Sequence, residues 1–128
     1  VFRLYLLVQQ LGSATYLNKY IMSKYFKEIE YNMDLDFLAK LDKAREYAGI
    51  PFIINSAYRS SDHPESIKNP TSSHIKGLAV DIKAKDSKTR GLILDALRYV
   101  GFTRIGISKT FIHVDLDYDK SQNVTWLY

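Results

Sequence analysis

The sequence predicts an α+β domain: a central, largely antiparallel sheet with helices packed on one of its sides. Two stretches with helical apolar spacing and four short strand-like runs carry that expectation. Their order is helix, strand, long loop, strand, helix and a closing hairpin.

The first helix is predicted over residues 34–48, where Phe37, Leu38, Leu41, Ala44 and Ala48 line one face. Asp34 is placed to cap its start and Gly49 to end it. After Pro51, the run Phe52-Ile53-Ile54-Asn55-Ser56 reads as a buried strand. From Tyr58 to Ser73 the composition turns to Ser, Asp, Pro, Asn and Lys, a long loop of the kind that is usually functional in a compact domain. Leu78 to Lys83 reads as a strand with Leu78, Val80 and Ile82 on one face and Ala79 and Asp81 on the other. A second helix is predicted from Ser87 to Val100, stopped by Gly101. Two last strands, 104–107 and 111–117, form a hairpin around Ser108-Lys109-Thr110, and Trp126 is expected to cap the core.

A chain of 128 residues suits one domain. Residues 1–21 are expected to be an extension outside the functional unit, because Met22-Ser23-Lys24-Tyr25-Phe26 resembles a natural start, and residues 22–128 form the single domain. No stretch approaches the roughly 20 apolar residues of a membrane span, and the chain is expected to be a monomer. The absence of cysteine excludes disulfides and thiolate metal ligands. A net charge of +4 and a pI of about 9.2 suit a polyanionic partner. The lysines and arginines are scattered, however, so no specific nucleic-acid partner is expected.

The last strand carries the first chemical signal. Alternation sends Ile112, Val114 and Leu116 to the core, leaving Phe111, His113, Asp115 and Asp117 on the opposite face. The second signal is Ser72-Ser73-His74-Ile75-Lys76-Gly77-Leu78-Ala79-Val80-Asp81. His74 closes the long loop, and small Ala79 leaves space beside Asp81 on the same strand face. If the two strands are neighbours, His74, Asp81 and His113 converge. Two imidazoles and a carboxylate are a three-ligand set typical of catalytic zinc, with water in the fourth position. Zinc lowers the pKa of such a water to roughly 7 in favourable sites and polarises a carbonyl.

The pattern Ser72-x-His74-x-x-Gly77-x-Ala79-x-Asp81, followed by Phe111-Ile112-His113-Val114-Asp115, resembles the zinc D-Ala-D-Ala carboxypeptidase and L-Ala-D-Glu endopeptidase family, which shares its fold with Hedgehog domains. Asn55-Ser56-Ala57-Tyr58-Arg59-Ser60 is similar to the family's upstream segment, and the likeness runs from about Met22 to Asp117. The resemblance implies one zinc ion on His74, Asp81 and His113, and hydrolysis of a peptide bond in bacterial peptidoglycan. It implies that Arg59 contacts the substrate carbonyl or stabilises charge developing on it, a role that suits a permanently charged, planar guanidinium. Tyr58 and Ser72 join Arg59 as candidate substrate-binding residues. Tyr58 would line the cleft, although packing fits it equally, and Ser72 would fix the loop by hydrogen bonding.

One position departs from the family pattern. Many members carry Glu or Asp three residues before the last histidine, where this chain has Thr110. Asp115 is the nearest replacement as general base. It equally suits an acceptor that orients a ligand imidazole. Asp117 and Glu65 are further candidates, and His63 could assist proton transfer to the leaving amine. The scissile bond stays open between a carboxypeptidase and an endopeptidase reading, with the cell wall as the site of action in either. Thr110 also motivates an alternative, a catalytically weakened zinc-containing binding or structural module of the cell wall.

Overall fold

The computed structural model describes residues 23–128, so the expected extension over residues 1–21 lies outside the described residues. Among the described residues three α-helices, α1 (Leu35–Ala48), α2 (Pro64–Lys68) and α3 (Ser87–Tyr99), accompany five strands. The strands are β1 (Ile54–Ser56), β2 (Ala79–Lys83), β3 (Arg104–Ile107), β4 (Phe111–Asp115) and β5 (Val124–Leu127), in the sheet order β1-β2-β4-β3-β5. All neighbours are antiparallel except β3 and β5, which run parallel. The expected α+β architecture holds, with one parallel pair added.

Local chemistry explains why the helices form where they do. The Asp34 carboxylate accepts the Phe37 N–H at 2.9 Å, satisfying a donor that α1 cannot pair internally. Phe37, Leu38, Leu41 and Ala44 are then buried on one face. Asp86 caps α3 in the same way through the Thr89 N–H, and Ile93, Ala96 and Leu97 turn inward. These residues share one core with Val80 and Ile82 of β2, Ile105 of β3, and Ile112 and Val114 of β4. Phe37 and Phe102 meet edge to face within it, 5.8 Å between centroids.

Four features differ from the sequence expectation. β1 is shorter than 52–56, and Ile53 is exposed rather than buried. The loop at 58–73 contains α2, started by His63, whose Nδ1 accepts the Glu65 N–H at 3.1 Å. β4 ends at Asp115 instead of continuing to Asp117. The Leu116 N–H still meets its in-register partner, the Leu78 carbonyl, at 3.0 Å, but the Asp117 N–H turns back onto the Asp115 carboxylate at 3.2 Å. Finally, Trp126 lies on a fifth strand and not as a cap on the core.

The turn that delivers His74 depends on Gly77. Its φ of +69° is a left-handed conformation. A Cβ there would press into the Asn32 backbone carbonyl, while the Gly77 carbonyl accepts the Asp34 N–H at 2.9 Å. Gly77→Ala is expected to cost about 2–4 kcal/mol of folding stability, from the left-handed penalty plus overpacking against backbone that cannot move aside. A urea titration would register this as a lower midpoint with an unchanged slope.

Candidate active site

The sheet register builds most of the site as a single row. Ser56 of β1 pairs with Asp81 of β2, Asp81 with His113 of β4, His113 with Gly106 of β3, and Gly106 with Trp126 of β5. Paired positions in adjacent strands share a face, and this face is the one opposite the apolar side chains of β2 and β4. A cleft of about 490 Å³ opens above it, lined among others by Arg59, Glu65, His74, Asp81, His113 and Trp126.

His74 reaches the row from the turn before β2. Its own backbone carbonyl accepts the Arg59 N–H at 3.1 Å, so the turn and the upstream segment are tied together. Ser72 lies in that turn, its Oγ accepting the His74 N–H at 3.3 Å. From the other side the Ser73 hydroxyl donates to buried Asp117 at 2.7 Å, and Lys76 Nζ meets the same carboxylate at 3.0 Å. Asp117 therefore braces the His74 turn, away from the row of reactive groups.

Each imidazole is oriented by a partner. His74 Nδ1 lies 2.8 Å from the Ala57 carbonyl, which can only accept, so Nδ1 carries a proton and Nε2 is the nitrogen turned to the cluster. That Nε2 is 3.4 Å from Asp81 Oδ1. His113 Nε2 lies 2.8 Å from Asp115 Oδ2, and its Nδ1 lies 3.0 Å from the same Asp81 oxygen. The ligand atoms of His74, Asp81 and His113 all fall within 4.8 Å of one another. Burial pushes the Asp81 carboxyl up, but hydrogen bonds and charge from His113 and His74 outweigh it and hold Asp81 far below the usual carboxylate range. Burial likewise opposes charge on His113, yet Asp115 and Asp81 raise it above the ordinary imidazole value. Burial raises Asp115 as well, and His113 with Arg104 brings it below the usual carboxylate range.

Two imidazole nitrogens and a carboxylate oxygen, each imidazole held by an acceptor on its other nitrogen, suit zinc by donor type and by surrounding support. The chain has no cysteine to offer a softer set. Arg59 stands at the edge of the cluster, its Nε donating to Ser56 Oγ at 3.0 Å and its Nη2 3.4 Å from Asp81 Oδ2.

The other candidates distribute as follows. Asp115 is in the cleft but engaged on both oxygens, by His113 and by Arg104 Nε at 2.7 Å. Thr110 is exposed beyond the cleft lining, and its carbonyl accepts the Ala84 N–H. His63 caps α2, and Tyr58 packs edge-on against Tyr31, so neither is among the lining residues. Sequence reasoning missed Arg104, Lys120, Trp126 and Tyr128, which do line the cleft. The signal for the last two was present in Val124-Thr125-Trp126-Leu127, a β-branched and aromatic run after the polar Ser121-Gln122-Asn123.

Fold and site together define a class: α+β proteins with a histidine–aspartate–histidine donor set on the open face of a sheet, beneath a cleft. The chain belongs to the peptidase M15 family, whose model matches residues 15–115. Its fold is similar to that of the Serratia marcescens L-Ala D-Glu endopeptidase ChiX, with a TM-score of 0.51 at 19% identity over 77% of this chain and 90% of that one. No curated protein matches the chain. Among the described residues no helix is long and apolar enough to cross a membrane.

Proposed function

We propose that this M15 peptidase is a zinc enzyme that hydrolyses a peptide bond in bacterial peptidoglycan, with His74 Nε2, Asp81 and His113 Nδ1 holding a single ion. The observation that carries the reading is the pair of fixed imidazoles whose second nitrogens meet at one Asp81 oxygen. Zinc, when bound, supplies Lewis acidity that lowers the pKa of water and polarises a carbonyl. The remaining work falls to the chain's own groups. Arg59 presents guanidinium N–H donors to the oxygen on which negative charge develops. Asp115 accepts from His113 Nε2 and keeps that ring in the ligating tautomer, the orienting role rather than the base.

Proton transfer then falls to Glu65. Among the described residues it is the lining carboxylate whose one ionic partner is exposed, Lys68 at 3.7 Å, whereas Asp81 and Asp115 are bound by groups inside the cleft. Glu65→Gln is expected to lower kcat by roughly 10²-fold, the scale of general acid–base catalysis, with zinc content unchanged. Single-turnover kinetics alongside elemental analysis would check both halves.

ChiX is described as acting on an L-Ala D-Glu bond, and the open cleft suits an endopeptidase of that type. Digestion of purified peptidoglycan, with fragments identified by mass spectrometry, tests the reading and names the bond. The exposed position of Thr110 favours one second reading, a zinc-containing module with weakened activity. One equivalent of zinc without any fragments would support that module and reject the enzyme.

A further inference from the structure

The cleft holds a largely buried cation that none of the roles above uses. Arg104, at the start of β3, is only 11% exposed in its side chain. It is anchored in three directions: Nε to Asp115 Oδ1 at 2.7 Å, Nη1 to the Ser121 carbonyl at 2.6 Å, and the guanidinium over the Trp126 indole at 5.1 Å. Strand β4, the segment after it and strand β5 all hold the same planar group. A lysine could form one of these contacts at a time, but not the set.

What Arg104 grips is the carboxylate that orients His113. Asp115, 1% exposed, gives one oxygen to Arg104 and the other to His113 Nε2 at 2.8 Å. His113 Nδ1 in turn faces Asp81. A continuous line of polar contacts therefore runs Arg104–Asp115–His113–Asp81. Gly106 makes room for its outer wall. A Cβ at Gly106 would stand 2.6 Å from the Trp126 ring and 2.7 Å from Tyr128. Its absence lets the indole settle between Arg104 and His113, 5.4 Å from the imidazole.

We propose that Arg104, braced by Trp126 in the Gly106 notch, is a positioning residue that acts through Asp115 to fix the His113 ring in its metal-binding orientation. The proposal rests on the zinc reading. A carboxylate held by one imidazole alone keeps rotational freedom about its side chain. The second grip removes that freedom, and so sets where His113 Nδ1 points. Loss of such an outer partner typically weakens metal binding 10–100-fold.

A double-mutant cycle separates action through Asp115 from an independent structural ion pair. Zinc dissociation constants are measured by chelator competition for wild type, Arg104→Met, Asp115→Asn and the double variant. Fluorescence of Trp126, the chain's single tryptophan, follows the same titrations. Urea stability of the metal-free proteins is recorded alongside. Arg104→Met is expected to weaken zinc binding about 10-fold or more in the wild-type background and less than about 3-fold beside Asp115→Asn. An equal loss in both backgrounds overturns the proposal. So does lowered stability with zinc affinity unchanged. Should Arg104→Met not fold, Arg104→Lys is read by the same cycle, with the same outcomes for and against. A wild type that takes up no zinc overturns the metal reading and this inference with it. A wild type that binds zinc, with affinity indifferent to Arg104, overturns this inference alone.

Discussion

Asp81→Ala is expected to abolish peptide hydrolysis, by on the order of 10³-fold or more, and to leave the purified protein with well under one equivalent of zinc. Metal Lewis acidity contributes several kcal/mol to stabilising charge in a hydrolytic transition state, and each 1.36 kcal/mol is tenfold in rate. Asp81 is the common partner of the cluster, facing His74 Nε2, His113 Nδ1 and Arg59 Nη2. Removing it takes away the charged ligand and the acceptor that draws the other groups together. The Ala57 and Asp115 contacts survive the substitution, so the imidazoles keep their tautomers and the fold should persist. The variant should thus separate metal loss from unfolding. Elemental analysis after dialysis, circular dichroism and a peptidoglycan digest on one preparation check the three parts. A variant with full zinc content and full activity would remove His74, Asp81 and His113 from the proposed centre.

Two of these ligand candidates, Asp81 and His113, were legible in the sequence because strands alternate. Ile112 and Val114 demand burial, which puts His113 on the other face; Val80 and Ile82 do the same for Asp81. Only the adjacency of β2 and β4 had to be assumed, and the register pairs Asp81 directly with His113. α1 and α3 were legible for a related reason, since both are long enough to show a 3.6-residue period and both begin at an Asp cap. α2 has five residues and buries Ser66 alone, too short for any apolar period. β5 is an edge strand held by parallel pairing to β3, a long-range choice that no local pattern encodes. The Trp126 contact of Arg104 was hidden behind the same gap. The partnership of Arg104 with Asp115 follows from the β3–β4 register, and its cation–π contact from a strand that had not been assigned. Asp115 shows the reverse case: its two roles could not be separated by spacing, whereas two occupied oxygens favour the orienting one.

Arg59→Ala is expected to lower kcat by about 10²–10³-fold, the loss measured when one donor to a developing oxyanion is removed, with a smaller change in KM. Zinc content should stay near wild type, because Arg59 is not a ligand. The rival role is an ion pair that merely steadies Asp81. Its geometry is poor for that purpose: Nη2 to Asp81 Oδ2 is 3.4 Å, against the 2.7 Å grip of Arg104 on Asp115. The firmer anchors of Arg59 are Ser56 Oγ on its Nε and the His74 carbonyl on its backbone N–H. They hold the base of the guanidinium and leave its outer N–H groups toward the cleft, where the side chain remains 22% exposed. Donors fixed before the reaction need no reorganisation when charge appears, which is why their effect falls on kcat. Arg59→Lys should recover little, since an ammonium on a flexible stem cannot keep the Ser56 bond while reaching the cleft. If Arg59→Ala instead released zinc and left the kcat of the reloaded enzyme intact, Arg59 would belong with the orienting groups and the charge-stabilising donor would have to be sought elsewhere in the lining.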